Sequence, residues 1–151
     1  MKTISCIDHY GIAHDIPIEK IGMRVSGIGV LKDNNTFLMV QDGWAKKWEF
    51  PGGGIKIGET VTEAIQREFI EETGLEVEVG KFIDMQEDYY YSEDKDQAWQ
   101  NIRLYFWVTK VGGSIKATGN GYDSIDVQFI SFKDLNPQNT KAPIYQFIKS
   151  L

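Results

Sequence analysis

Cysteine is nearly missing from this chain: Cys6 is the only one among 151 residues. No internal disulfide can form, so a reducing compartment, the cytoplasm, is the expected setting. Long apolar runs are missing too. None approaches the ~18 residues of a membrane span, and the opening M-K-T-I-S-C-I-D-H has no signal-type apolar core. Positive charge is in deficit, with 16 Lys and Arg against 22 Asp and Glu and a net charge of −6. That balance argues against broad nucleic-acid or membrane-surface binding. An acidic protein acting on a polyanion would need cations to bridge the two. Repeats, low-complexity tracts and linkers are also lacking, so residues 1–151 are expected to form one domain with a real core.

Against these absences stands one dense stretch, Gly53 to Leu75, a glycine loop feeding a helix rich in glutamate. Thr60 and Glu63 form a capping-box pattern at the helix start. Gly74 fits the left-handed position that closes the last turn. The helix is therefore expected over Val61 to Thr73. Within it Glu68, Glu71 and Glu72 stand at i, i+3 and i+4, inside a wedge of roughly 100°. Val61, Ala64 and Ile65 project to the same wedge, so the acids continue an inward-facing stripe. Glu71 and Glu72 also sit in the last turn, where the helix dipole disfavours negative charge. Glu68 and Glu72 are like charges at i,i+4. Each penalty is a few tenths of a kcal/mol with the same sign, and a bound cation would remove them together. Carboxylates without His or Cys partners suit a hard ion, Mg²⁺ or Mn²⁺.

The pattern G-x5-E-x7-R-E-x-x-E-E-x-G-L, carried here by Gly53, Glu59, Arg67, Glu68, Glu71, Glu72, Gly74 and Leu75, resembles the Nudix hydrolase signature. Phe69 stands where that pattern usually has Leu, Ile or Val. The preceding W-E-F-P-G-G, Trp48 to Gly53, looks like the approach to the box in the MutT-like branch. The resemblance implies an α/β (α+β) fold, an α/β/α sandwich with a central mixed sheet, a catalytic loop-helix and a C-terminal helix. It also implies metal-dependent hydrolysis of a diphosphate linkage in a nucleoside diphosphate derivative, a nucleoside triphosphate or related small nucleotide. Diadenosine polyphosphates and a non-catalytic nucleotide-binding module are the alternatives. By that resemblance the metal ligands are Glu68, Glu71, Glu72 and the Gly52 carbonyl, with Arg67 holding the glutamates in place. Glu59 either completes that network or is a helix-start acid. The general base is left open among Glu68, Asp123 or Asp126, and Glu87, Asp88 or Glu93.

Substrate contacts are expected at Arg24, Trp44, Tyr91 and Asp126, with Lys46 and Lys47 as further phosphate contacts. Trp44 and Trp48 could stack on a base, since any base offers a π-face. Tyr91 lies near where diadenosine polyphosphate hydrolases carry a tyrosine. The proline that marks ADP-ribose hydrolases has no counterpart, because none occurs between Pro51 and Pro137. The partner is a small nucleotide, and the oligomeric state is left open, a homodimer included.

The remaining elements follow from pattern. Thr3–Ile7 and Ile12–Ile16 flank D-H-Y-G as a hairpin. His9 and His14 on it are expected to be solvated or to pack the hairpin, because zinc would want further ligands. Met23–Leu31 and Thr36–Gln41 are strands apolar enough to be covered on both faces. Leu75–Val79 and Phe82–Tyr91 are extended segments broken at Gly80, and Glu87–Gln97 is a mobile hairpin loop. Asn101–Val111 and Val127–Phe132 are strands. Ile144, Phe147, Ile148 and Leu151 mark a terminal helix begun at Pro143.

Overall fold

The computed structural model describes residues 1–151. Strands β1 (Thr3–Ile7) and β2 (Ala13–Pro17) form the N-terminal hairpin. Then come β3 (Ile21–Val30), β4 (Lys32–Asp33), β5 (Thr36–Gln41), β6 (Trp48–Glu49) and β7 (Gly52–Gly54). Helix α1 (Val61–Thr73) is followed by β8 (Leu75–Ser92), β9 (Gln97–Gly113), β10 (Asp126–Ser131) and helix α2 (Ala142–Ser150). Six strands make a mixed sheet in the order β2-β1-β8-β9-β3-β7. Within it β3 runs parallel to β9, and β1 parallel to β8. A second sheet has the order β10-β5-β4, with β6 paired to β5.

The residue pattern of β5 explains the layering. Side chains alternate across a strand, and Phe37 and Met39 join one core cluster while Leu38 and Val40 join the other. The first cluster takes Ile144, Phe147 and Ile148 from α2; the second takes Ile65 and Phe69 from α1. A strand apolar at its four central positions, Phe37 to Val40, is thus covered by a helix on each side, as its sequence requires. The result is an α/β/α sandwich.

Phe69, the departure from the signature, is fully buried. Its ring occupies space that a larger residue at position 29 would need: a Cβ on Gly29 would lie 2.3 Å from Phe69 Cε2. Burying a side chain of this kind is worth about 1.5–3 kcal/mol, and Gly29 makes room for it.

Two expectations change. The break at Gly80 is a bulged stretch inside one long strand, with register shifts between Val79 and Phe82 and again before Asp84. The loop expected over Glu87–Gln97 shrinks to the turn Glu93–Asp96. Tyr89, Tyr90 and Tyr91 stay in the ladder opposite Gln100, Trp99 and Ala98. Aromatic residues favour strands, and here that preference outweighs the surrounding charge. No helix is long and apolar enough to cross a membrane.

Candidate active site

Helix α1 has the expected limits, with the reciprocal Thr60–Glu63 capping box and a left-handed Gly74. It lies against β3, β7 and β8. Arg67 is its organising side chain. Nε and Nη2 donate to the two Glu59 oxygens, at 2.9 and 2.8 Å. Nη1 donates to Glu68 at 2.9 Å and to Glu71 at 3.3 Å, and Nη2 also reaches the Gly54 carbonyl at 3.1 Å. The Glu63 carboxylate, one turn away, is taken by the Thr60 N–H instead. Glu59 therefore completes the arginine network, and the guanidinium and the Lys56 N–H hold its carboxyl down at about 2.

The three box acids do not share one environment. Glu72 is buried, the Glu68 side chain is mostly covered, and the Glu71 side chain is half exposed at the outer edge. The inward wedge is thus right for two of the three. Gly53 sits against the Glu68 carboxylate so closely that a Cβ there would come 2.5 Å from Oε1. The Gly52 N–H donates to Glu72 Oε1 at 2.8 Å.

Burial pushes the Glu72 carboxyl well above its ordinary range, and Glu68, Glu49 and Asp123 push it further; the Gly52 N–H only partly opposes them. Burial likewise raises Glu68, against the pull of Arg67. Like charges crowded in a low-dielectric site are unfavourable unless a cation or protons neutralise them. An all-carboxylate donor set with one buried, donor-poor member fits a hard divalent ion, to which Glu68, Glu72 and, after release from Arg67, Glu71 could be ligands. The carboxylates of the box are not drawn together: the one trio with ligand atoms all within 4.8 Å is Asp8, His14 and Glu93, on the hairpin side.

Glu72, Glu49, Gly52, Gly53 and Asp123 form one end of a cavity of about 240 Å³. Its floor is one face of the large sheet. Every second residue contributes: Arg24, Ser26 and Ile28 from β3, Trp99, Asn101 and Arg103 from β9, Asp88, Tyr90 and Ser92 from β8. Three pairs furnish it: the part-buried Arg103 with Asp88 at 2.8 Å and Lys141 with Glu49, and the buried Ser26 with Asn101 at 2.9 Å. Past Ile28 and Tyr105 the same face turns apolar, where Tyr105 stacks on Phe147 at 3.7 Å under α2.

Of the expected substrate contacts, Arg24 and Trp44 line this cavity and Tyr91 and Asp126 do not. The Arg24 Nε is buried with no hydrogen-bond partner. Lys47 lines the cavity, while Lys46 is exposed. Tyr91 lies on the opposite strand phase from the floor; its hydroxyl donates to Asp96 at 2.8 Å. Its neighbour Tyr90 takes the cavity position. Asp126 begins β10 opposite Gln41 and accepts from Gln128 at 2.9 Å; Asp123, three residues earlier, is at the cavity. Among the acids considered as base, Asp88 is bound to Arg103, Glu87 accepts from Gln100 at 3.0 Å, and Glu93 faces His14. The floor residues Asn101 and Arg103 are not marked by any sequence motif, and Tyr90 only as part of the stretch Tyr89–Tyr91, although period-2 phasing from Arg24 and Ile28 across the ladder marks all three.

Comparison with known proteins identifies the family. The NUDIX domain family matches residues 21–151. An ADP-ribose pyrophosphatase from Methanocaldococcus jannaschii is 31% identical over 110 residues, 71% of this chain and 61% of that protein. The putative nudix hydrolase 1 of Caenorhabditis elegans is 28% identical over 120 residues, 78% of this chain and 30% of that protein. The match therefore spans less than two thirds of either relative. The crystal structure of a MutT protein from Methanosarcina mazei superimposes with a TM-score of 0.64 at 19% identity, covering 87% of this chain and 94% of that one. With the family match taking in nearly the whole chain, and the box glutamates, their arginine and the sandwich all in place, this protein belongs to the Nudix family.

Proposed function

We propose that the protein is a metal-dependent pyrophosphohydrolase that cleaves the diphosphate linkage of a small nucleoside diphosphate derivative. The observation that carries this reading is the Arg67 clamp on Glu59, Glu68 and Glu71 beside the buried, acid-surrounded Glu72, at one end of a cavity. A bound Mg²⁺ or Mn²⁺ would supply Lewis-acid stabilisation of charge on the diphosphate and its attacking water. The protein side of the chemistry is positioning. Arg67 fixes the directions of Glu68 and Glu71, and Gly52 holds Glu72. Arg24, with its free Nε, and Lys47 offer positive charge to phosphate oxygens further along the floor. Glu68 and Asp123 are the acids near Glu72 able to take the proton of an attacking water, and Glu68 is favoured because Arg67 orients it. One domain acting in the cytoplasm fits the lone, buried Cys6.

The substrate reading has two branches. Nucleoside triphosphates follow from the MutT-like approach to the box. ADP-ribose is favoured by the name of the Methanocaldococcus relative. A panel of nucleoside triphosphates, ADP-ribose and diadenosine polyphosphates, assayed for phosphate and pyrophosphate release, decides between them. Turnover that requires Mg²⁺ or Mn²⁺ is the expected result. Full turnover in excess chelator would refute the metal assignment.

A further inference from the structure

The family match begins at residue 21, so the hairpin β1–β2 lies outside it. Yet the hairpin turn builds a wall of the cavity: Ile7, Asp8, His9 and Gly11 all line it. His9 is the residue that ties this wall together. Its ring lies parallel to Trp44 at 4.2 Å and 8°, and edge-on to Tyr90 at 5.1 Å. Its Nε2 is within hydrogen-bond distance of the Tyr90 hydroxyl. Trp44 in turn meets the Tyr122 ring at 5.3 Å. Four rings from four separate parts of the chain thus meet at the cavity, and His9 touches two of them directly.

The wall reaches from Tyr90, far along the sheet, to Tyr122, the chain neighbour of Asp123 at the acid end. Tyr90 pairs with Trp99, which is opposite Gly22, whereas Gly52 is opposite Ile28. Six residues of β3 separate those rows, roughly 20 Å at a strand's rise per residue. A diphosphate held at the Glu72 end leaves its nucleoside to turn toward Trp44, which meets Tyr122 beside Asp123 and stacks on His9. The supports of the wall are fixed in advance. Asp42 accepts N–H groups from Trp44, Ala45 and Lys47 at 2.7–2.9 Å, and Asp8 accepts those of Tyr10 and Ile12 at 2.8 and 2.9 Å. Neither ring-bearing loop must order itself on binding, which favours affinity.

We propose that His9 organises Trp44 and Tyr90 into the wall that receives the aromatic base of the substrate, making the N-terminal hairpin a specificity element of this protein. The inference rests on the nucleotide reading of the cavity but not on turnover. Calorimetric titration of the full-length protein with the non-hydrolysable methylene analogues of ADP and GDP, against methylene diphosphonate, all with Mg²⁺, separates base from diphosphate. Wild type should prefer at least one nucleotide analogue to the base-free one. His9→Ala should reduce that preference roughly 5- to 150-fold, the range that base stacking supplies. It should leave diphosphonate binding where it was, and His9→Phe should restore most of the preference. Trp44→Ala gives the same reading should His9→Ala fail to melt cooperatively. A wild type without preference, an equal loss for all three ligands, or His9→Phe behaving as His9→Ala would overturn the proposal. A protein that binds by base but cleaves nothing would sink the hydrolase reading and leave this one standing.

Discussion

Glu72 and Asp8 are equally hidden, at 5% and 6% exposure, and they ionise in opposite ways. Both carboxyls are pushed up by burial. At Asp8 that effect is overcome by His14 and by the Ile12 and Tyr10 N–H groups, which bring it down to about 2. At Glu72 a single N–H stands against Glu68, Glu49 and Asp123, and the carboxyl is driven up. A buried acid surrounded by its own protein's donors is a structural part. One surrounded by further acids is left to be neutralised by a proton or, on the reading proposed above, by a cation. Burial raises both; at Asp8 the donors outweigh it, and at Glu72 the neighbouring acids add to it.

The comparison is broken most directly at Glu72. Loss of a residue that merely supports a metal ligand typically lowers activity 10–100-fold, so Glu72→Gln should cost at least about 100-fold in kcat/KM. The same change should raise the melting temperature of the metal-free protein at pH 7, since it removes an uncompensated buried charge. A carboxyl with a raised pKa penalises the fold only above its unfolded value near 4, so the gain should vanish as the pH falls to about 4. A lower melting temperature at pH 7 would make Glu72 structural, like Asp8.

Metal addition is the next largest effect. At about 100 times its dissociation constant, a ligand specific to the folded state contributes about 2.7 kcal/mol, or roughly 5–10 °C for a chain of this size. Mg²⁺ or Mn²⁺ should raise the wild-type melting temperature on this scale, raise Asp8→Asn as much, and leave Glu72→Gln nearly unmoved. A shift lost in Asp8→Asn and kept in Glu72→Gln would move the metal to the Asp8–His14–Glu93 trio.

The α1 end was legible because its signals are local: a cap, a closing glycine and fixed spacings within one helix. The N-terminal hairpin was legible as well, but the place where it docks was not. His9 and Trp44 are thirty-five residues apart and meet only through the pairing of β1 with β8 and the curl of the β5–β6 loop. The resemblance points to Tyr91, whereas the sheet selects by strand phase, and adjacent residues face opposite sides, which brings Tyr90 to the cavity. Charge density suggested a loop at Glu87–Gln97, but cross-strand pairing of the tyrosines decided for a strand. Spacing within a helix is written in the sequence; the partner of a strand is settled by the whole fold.

Asp8→Asn tests the other side of the comparison. Hydrogen bonds to a charged group contribute about 1.5–3 kcal/mol, so the variant should melt several degrees lower at pH 7. The sign with pH is opposite to that of Glu72. A carboxyl held at about 2 stabilises the fold above its unfolded value near 4, and that contribution is lost as pH falls toward 2. The gap between wild type and Asp8→Asn should therefore close with acid, and a gap constant from pH 7 to 2 would show that the Asp8 charge is not what matters.

Glu93→Gln should have the smallest effect, and its size decides how the hairpin is held. Glu93 Oε1 lies 3.4 Å from His14 Nε2, and its side chain is 53% exposed, while Asp8 Oδ2 lies 2.8 Å from the same nitrogen and is covered. Exposed pairs contribute about 0–1 kcal/mol and are screened by salt. The Glu93→Gln melting temperature should therefore fall by no more than about 4 °C in low salt and match wild type at high salt. The double variant with Asp8→Asn should show the sum of the two losses if Glu93 reaches the hairpin only through solvent. A Glu93→Gln loss as large as that of Asp8→Asn, persisting in high salt, would mean that His14 is clamped from both sides. The turn Glu93–Asp96 would then be part of what fixes the hairpin over the cavity.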